Sequence, residues 1–421
     1  MIIKPNILEG AVDIPASKSE AHRAIICAAL SKEKSNVYNV TLSEDIKATI
    51  GGLIKLGANI EINAHRDKDT ADIEIKGFAK KENEEIIIDC GESGSTLRFL
   101  IPIAARLYDK VTFTGKNRLV KRPLDVYFDI FEKNNIKYSR REDYLPLTVE
   151  GRLQSKEYEA AGHISSQFIT GIMLASGMAE DKTEIRIKNE LESKPYIDIT
   201  QDVMKKYGAE STFDEEQNKY IVNGGGYRAK DFKVMGDWSH AGFWLLAGTK
   251  SRIAINGLDK NSMQGDKVIV DILKSMGANI YWQGDVLISD KSQLQSKEID
   301  VSQCPDLAPV IAGAMAVANG ESKITGGQRL KIKESDRIQS VVNTINTLGG
   351  KAQATDDGMI IDGVEMLSGG EVSCYNDHRI AMMTGALSAF CAKNISVNGH
   401  QCVDKSYPSF WEDFAKAGGR T

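Results

Sequence analysis

Apolar positions along the chain follow two interleaved helical patterns, and each pattern occurs six times. The first is amphipathic: a helix with one apolar face runs into a glycine or polar turn and then a strand. These helices end in the segments 53–60 (LIKLGANI), 130–138, 204–211, 272–280, 345–352 and 414–419. With Gly57, Asn134, Gly208, Gly277, Gly349 and Gly418 as markers, the steps are 77, 74, 69, 72 and 69 residues. Glycine or asparagine is expected there because the residue that ends a helix takes the left-handed conformation. The second pattern is rich in small residues and apolar nearly all round, over 20–30, 94–107, 166–178, 239–247, 307–318 and 378–390. Helices without a polar face are expected to be buried. A fixed period of this size predicts one supersecondary unit used six times.

Each unit reads as a buried helix, a strand, an outer helix and about two further strands. The sixth unit stops at Thr421, just past its outer helix, and the strand-like start MIIKPNILEG can supply what it lacks. This places 1–14 with 236–421 in a C-terminal lobe and leaves 15–235 as an N-terminal lobe, three repeats in each. The chain would cross between them twice, near 14–15 and near 235–237. In such an α/β arrangement the helix N-termini of both lobes can face one cleft, and closure about the double hinge would complete a site.

Composition narrows the function. A chain of 421 residues is long for a single core, and 42% apolar with 26% charged residues is the balance of a soluble globular protein. The net charge of −5, with no basic block, argues against nucleic acid as a partner. Any anion site must therefore be local. The six cysteines form no CxxC pair and the six histidines show no zinc-ligand spacing. No signal-peptide core opens the chain, and the longest nearly apolar run, 307–318, is shorter than the ~18–20 residues of a spanning helix. A soluble cytoplasmic protein with reduced thiols is expected.

The chemistry gathers where the buried helices begin. A structural helix start needs one capping hydroxyl or carboxylate; it does not need Lys, Arg, Gln and His as well. In IPASKSEAHRAIICAAL (14–30), Pro15 ends a strand ladder, Ser17 or Ser19 can cap, and Arg23 lies one turn beyond Ser19 on the same face. Free backbone N–H groups, a hydroxyl, the Lys18 ammonium and a guanidinium then share one small volume, which favours an anion. IDCGESGSTLRFL (88–100) offers close backbone approach at Gly91 and Gly94 with hydroxyls at Ser95 and Thr96, but lacks the GxxxxGK[ST] of a P-loop. Arg122 precedes Pro123, expected to open an outer helix, and a cation against that dipole calls for another anion. Ser165, Ser166 and Gln167 provide neutral donors. In LKIKESDRIQS (330–340), Lys333 and Arg337 are expected to share a face at i, i+4 at a helix start, with Glu334 one turn before Arg337, a pattern that can bind an anion and hold a titratable acid or base. His378 and Arg379 open a wholly apolar helix, costly without a ligand or partner, and Lys405 is expected as a last cation at an outer helix start. Any one of these stretches is also what a capped, solvated helix start looks like; their repetition points to ligands. The cations Lys18, Arg23, Arg122, Lys333, Arg337, Arg379 and Lys405 would suit two anionic small molecules held face to face. Glu334 and Asp306 are the candidate acid/base groups, and without a metal or nucleotide motif acid–base chemistry is the expected mode.

Taken together, SKSEAHR, CGESGSTLR, KRPL, SSQF, SKPYIDIT, PDLAP, IKESDRI, NDHRIAM and DKSYPSFW resemble, in order and spacing, the 5-enolpyruvylshikimate-3-phosphate synthases. These are the enolpyruvyl transferases of the shikimate pathway, on the route to chorismate and the aromatic amino acids. The resemblance runs nearly end to end. It implies two lobes, each of three βαβαββ units in an inside-out α/β barrel, a monomer, and no cofactor or metal. It implies that Lys18, Gly94, Arg122, Gln167, Arg337, Arg379 and Lys405 bind phosphoenolpyruvate. Ser19, Arg23, Ser165, Ser166, Gln167, Ser193, Tyr196, Asp306 and Lys333 would hold shikimate 3-phosphate. Lys18, Asp306 and Glu334 would be catalytic, Asp306 accepting the hydroxyl proton and the other two serving the methylene and leaving-group steps.

The chain departs from the family at Glu92, where many members have Asn, at Ser95, where many have Thr, and at Arg329, where a substrate-binding Asn is common. Two alternatives stand beside this reading. UDP-N-acetylglucosamine enolpyruvyl transferase shares fold and donor, but it usually carries a Cys in the loop matching 115–123 (GKNRLVKRP), which has none. A non-catalytic repeat protein binding phosphorylated ligands would keep the cations without needing Lys18, Glu334 and Asp306 together.

Overall fold

Helices that lack a polar face have nowhere stable to lie except inside a core, and this determines the layering of the molecule. A computed structural model describes residues 1–66, 69–78 and 85–421. The α-helices within them are, in order, α1 (Lys18–Leu30), α2 (Glu44–Lys55), α3 (Gly94–Leu107), α4 (Asp125–Lys133), α5 (Ser166–Ser176) and α6 (Lys194–Lys206). They continue with α7 (Trp238–Gly248), α8 (Ile269–Ser275), α9 (Ala308–Ala316), α10 (Arg337–Thr347), α11 (His378–Leu387) and α12 (Phe410–Lys416). The odd-numbered helices are the nearly all-buried ones and the even-numbered helices carry an exposed face. Two compact units result: Ala16–Val234, and Met1–Pro15 together with Met235–Thr421. Each has a hydrophobic core of its own. Burying side chains such as Phe243 and Leu245 of α7 contributes about 1.5–3 kcal/mol each, so the inner helices supply much of the favourable term in either unit.

Between the helices, sheets repeat one topology. In the second repeat Ile86–Asp89 runs parallel to Lys110–Thr114, Leu147–Glu150 pairs antiparallel with it, and Lys137–Arg140 closes the edge antiparallel to Leu147–Glu150. The third and fifth repeats have the same order. The chain start serves two sheets, where the sequence pattern assigned it to the sixth alone. Ile2–Ile3 joins the sixth sheet antiparallel to Ile395–Asn398, while Glu9–Asp13 lies parallel to Arg252–Asn256 in the fourth. The fourth repeat needs that strand because the residues ahead of α7, Phe232–Lys233, pair parallel with Ser35–Thr41 in the first sheet instead.

Gly57, Gly208, Gly277, Gly349 and Gly418 end outer helices at positive φ. In the second repeat the left-handed residue is Asn135 (φ 54°), not Asn134, whose φ of −104° ends the helical turn one residue earlier. Inner helices approach closely where a side chain is missing: a Cβ at Gly171 on α5 would lie 2.3 Å from the Arg98 carbonyl oxygen of α3. Among the described residues no helix is long and apolar enough to cross a membrane.

Candidate active site

In the first unit the start of α1 is built as the sequence suggests. Ser17 caps it, accepting the Glu20 N–H at 3.4 Å, and leaves Ser19 in the first turn. Lys18 donates from Nζ to Asp45 Oδ2 on α2 at 2.9 Å, with 16% of its side chain exposed. Arg23 is buried with its donors on neutral oxygens: Nε on Thr200 Oγ1 (2.8 Å), one terminal nitrogen on the Ser19 carbonyl (2.7 Å), the other on the Tyr196 carbonyl (2.9 Å) and Thr170 Oγ1 (3.5 Å). It also stacks over Phe99 at 5.1 Å. Burial lowers its pKa to about 10, opposed by Cys27, Tyr196 and Glu20, so the guanidinium stays charged at neutral pH. A buried cation set on neutral groups attracts an anion.

The α3 and α5 starts meet nearby. Ser165 caps α5, accepting the Gln167 N–H at 3.3 Å, with Ser166 buried behind it. The Gln167 carboxamide is oriented from both ends: Arg98 donates to Oε1 at 2.7 Å, and Nε2 donates to Ser95 Oγ at 3.0 Å. Arg98 also reaches the Pro123 carbonyl at 3.3 Å and lies over Phe168 at 4.9 Å. Gly94 opens α3 against Arg122, and a Cβ there would stand 2.6 Å from a guanidinium nitrogen. Ser193, buried at φ 55°, immediately precedes α6, whose first turn carries Tyr196.

Arg122 is not at a helix start. It follows a 3₁₀ turn over Asn117–Lys121 in extended conformation, as the residue before a proline must be, and α4 begins only at Asp125. Its guanidinium lies against Gly94 at the start of α3. Glu92 accepts from Asn117 Nδ2 at 2.9 Å in the same loop.

In the second unit three charged stretches converge. Asp306, in the short 3₁₀ turn before α9, accepts from Lys333 Nζ (3.3 Å) and Arg337 (2.8 Å) on Oδ1 and from Arg379 (3.1 Å) on Oδ2. Glu334 Oε2 accepts from Arg337 at 2.6 Å. Arg337 is 1% exposed and also bonds Asp377 Oδ2 at 2.8 Å; Asp377 in turn caps α11 by accepting the Arg379 N–H at 3.0 Å. Burial alone would lower the Arg337 pKa, but Asp377, Glu334 and Asp306 together raise it well above the ordinary value. Lys333 goes the other way. Burial, with Arg337 and Arg329 adding to it against Asp306 and Glu334, brings it to about 8.

Two expectations about this unit need correction. Lys333 and Arg337 do not share a helical face: α10 starts at Arg337 with Asp336 as its cap, and Lys333 lies in extended backbone after the 3₁₀ turn Gln328–Ile332. They meet through Asp306 instead. Lys405 likewise ends a 3₁₀ turn, five residues before α12, and donates to the Asn376 carbonyl at 2.7 Å. Tyr375 and Asn376 there are both left-handed, at φ 51° and 55°. Arg329, left out of the expected site, donates to the Ser302 carbonyl.

Sequence reasoning passed over Asp45, Arg98, Thr170 and Thr200 as partners. A signal existed for Arg98, a charge within an apolar helix, and for Asp45, an acid in the first turn of the next helix. The threonines carry none.

A family model described as EPSP synthase (3-phosphoshikimate 1-carboxyvinyltransferase) matches residues 2–414. Proteins named 3-phosphoshikimate 1-carboxyvinyltransferase from Clostridium novyi (strain NT) and Clostridium perfringens (strain 13 / Type A) are each 44% identical to the chain. The matches cover 99% and 100% of this chain and 97% and 98% of theirs. Among solved structures, EPSP synthase from Acinetobacter baumannii has the same fold, with a TM-score of 0.77 over 99% of this chain and 97% of that one at 24% identity.

Proposed function

The chain belongs to the EPSP synthase family, and from that premise we propose that it transfers the enolpyruvyl group of phosphoenolpyruvate to the 5-hydroxyl of shikimate 3-phosphate. The observation that carries this reading is the convergence of Lys333, Arg337 and Arg379 on Asp306 beside Glu334. Preorganised cations stabilise charge that develops as a phosphate departs, and a carboxylate held among them is placed to take a hydroxyl proton.

In the proposed sequence the enol methylene gains a proton and the acceptor hydroxyl adds to the enol carbon, giving its proton to Asp306. The tetrahedral intermediate then expels phosphate while the new methyl group returns a proton. Lys18 and Glu334 serve the methylene and leaving-group steps. On the first unit Lys18, Gly94, Arg122 and Gln167 are assigned to phosphoenolpyruvate, and Ser19, Arg23, Ser165, Ser166, Gln167, Ser193 and Tyr196 to shikimate 3-phosphate. On the second, Arg337, Arg379 and Lys405 are assigned to the donor, Asp306 and Lys333 to the acceptor. What supports the acceptor assignment is the buried Arg23 guanidinium donating only to neutral acceptors, among them the Ser19 and Tyr196 carbonyls. Six free, buried cysteines suit a reducing cytoplasm. The roles are tested by Lys18→Met, Asp306→Asn and Glu334→Ala, with substrate binding followed by calorimetry. Turnover lost with binding kept supports them, whereas binding lost in step with turnover supports a ligand-holding role alone.

Two further outcomes follow from the geometry. Shikimate 3-phosphate, by adding negative charge next to Lys333, should raise its pKa from about 8, so binding at pH 8.5 should take up protons. Calorimetry in buffers of different ionisation enthalpy measures this, and uptake unchanged in Lys333→Met contradicts it. In the free protein the sign for stability is opposite to that of a lysine whose pKa is raised. The lowered pKa costs stability below about pH 8, and the cost is relieved as pH rises toward the ordinary lysine value. Gly94→Ala should displace Arg122, because the new Cβ would lie 2.6 Å from a guanidinium nitrogen. The KM for phosphoenolpyruvate should rise by about 10–10²-fold, the scale of ångström misplacements. The KM for shikimate 3-phosphate should stay, and initial-rate kinetics with an unchanged donor KM would refute the account of this contact.

A further inference from the structure

One buried imidazole in the first unit has no part in the scheme above. His22, on α1 four residues beyond Lys18, is 1% exposed and meets Phe99 edge-on with ring centroids 6.2 Å apart. Its Nδ1 is 2.8 Å from Thr49 Oγ1 on α2. Thr49 Oγ1 lies 2.6 Å from Thr96 Oγ1 on α3. Thr96 Oγ1 then reaches Ser93 Oγ at 2.8 Å and the Asp45 backbone carbonyl at 3.3 Å. A buried string of hydroxyls thus joins the beginnings of α2 and α3, with the imidazole at one end.

Counting donors sets the direction of the string. A carbonyl only accepts, so the Thr96 proton goes to Asp45 or to Ser93. The contact between the two threonines must then use the Thr49 proton, and the Thr49 oxygen accepts from Nδ1–H. That leaves Nε2 as a bare acceptor, and it is buried with no hydrogen-bond partner. Burial, followed by the charges of Lys18 and Arg23, holds the ring's pKa well below 6.5, so it is neutral. An unmatched buried acceptor lowers stability, and violations of this kind are expected where function demands them.

The far end of the string abuts the proposed site twice. Asp45 holds Lys18 Nζ at 2.9 Å through Oδ2, and its backbone carbonyl is the one Thr96 touches. Ser93 caps α3, accepting the Thr96 N–H at 3.1 Å, immediately before Gly94.

We propose that His22 is a positioning residue for enolpyruvyl transfer, which through Thr49 and Thr96 sets the placement of Asp45 with Lys18 and of the Ser93–Gly94 turn. The proposal rests on the role given to Lys18 above. It is tested with His22→Leu, His22→Asn and the near-isosteric Thr49→Val, alone and as the His22→Leu/Thr49→Val double variant. Asparagine puts an N–H donor where Nδ1 stands; leucine removes it and also the unmatched acceptor. His22→Leu and Thr49→Val should each lower kcat/KM for phosphoenolpyruvate by about tenfold or more. The KM for shikimate 3-phosphate should stay within about twofold, and the Tm of His22→Leu should not fall. His22→Asn should restore activity to within about threefold. The double variant should be no worse than either single one, because both cut the same string. Thr49→Val with wild-type kcat/KM, His22→Asn as poor as His22→Leu, or losses that multiply in the double variant would each overturn the proposal. Should His22→Leu not fold, Thr49→Val carries the test under the same criterion. Lys18→Met separates the two layers: full turnover there removes the premise, whereas its inactivity beside a wild-type Thr49→Val removes only the positioning role.

Discussion

Lys18→Met is expected to lower kcat by about 10²–10⁴-fold, the contribution typical of a positioned acid or base, and to leave the protein folded. The lysine opens α1 but does not cap it, since the capping oxygen belongs to Ser17. Its ion pair with Asp45 is partly solvated, with 16% and 11% of the two side chains exposed. Losing such a pair removes on the order of 1 kcal/mol. Methionine keeps most of the apolar stem that packs along the helix start. Turnover and stability should therefore part company, and steady-state kinetics beside a urea titration measures both. A loss under tenfold from a folded variant would mean that Lys18 contributes charge to the site without transferring a proton.

Arg337→Met should cost stability as well as abolish turnover. The Arg337 guanidinium is buried and bonded to Asp306, Glu334 and Asp377 at 2.8, 2.6 and 2.8 Å. Removing it leaves Asp377, itself fully buried, without its cation. Breaking a buried pair by deleting one partner costs about 3–5 kcal/mol. Asp377 also caps α11, so the damage should extend to the helix that carries Arg379. The prediction is a fall of that size in the stability of the unit formed by Met1–Pro15 and Met235–Thr421, read from denaturant titration. A change below about 1 kcal/mol would show that the carboxylates find other partners or take up protons at little cost.

The contrast between these two cations explains what was legible in the sequence. Charges at the mouths of apolar helices are costly without partners, so Lys18, Arg23 and Arg379 stand out by residue type and position alone, and Arg337 by its spacing from Glu334. Their partners do not stand out. Thr170 and Thr200 are ordinary helical threonines until folding brings both to Arg23. For Arg122, Lys333 and Lys405 residue type was informative and placement was not. Each sits in extended backbone or a 3₁₀ turn that a proline or a cap inserts before the next helix, and helical spacing rules do not apply there. The six-fold period was legible because it recurs over long amphipathic segments. The exchange of strands between the chain start and Phe232–Lys233 was not, since the pattern of a short strand does not say which sheet it joins.

Phosphate release from phosphoenolpyruvate, measured with shikimate 3-phosphate or with UDP-N-acetylglucosamine as acceptor and no added metal, decides the reaction. Release is expected with shikimate 3-phosphate alone, nearly abolished by Glu334→Ala. Release with the nucleotide sugar would contradict the acceptor assigned to Ser19, Arg23 and Tyr196, and release with neither, from folded protein, would contradict the enzyme reading itself.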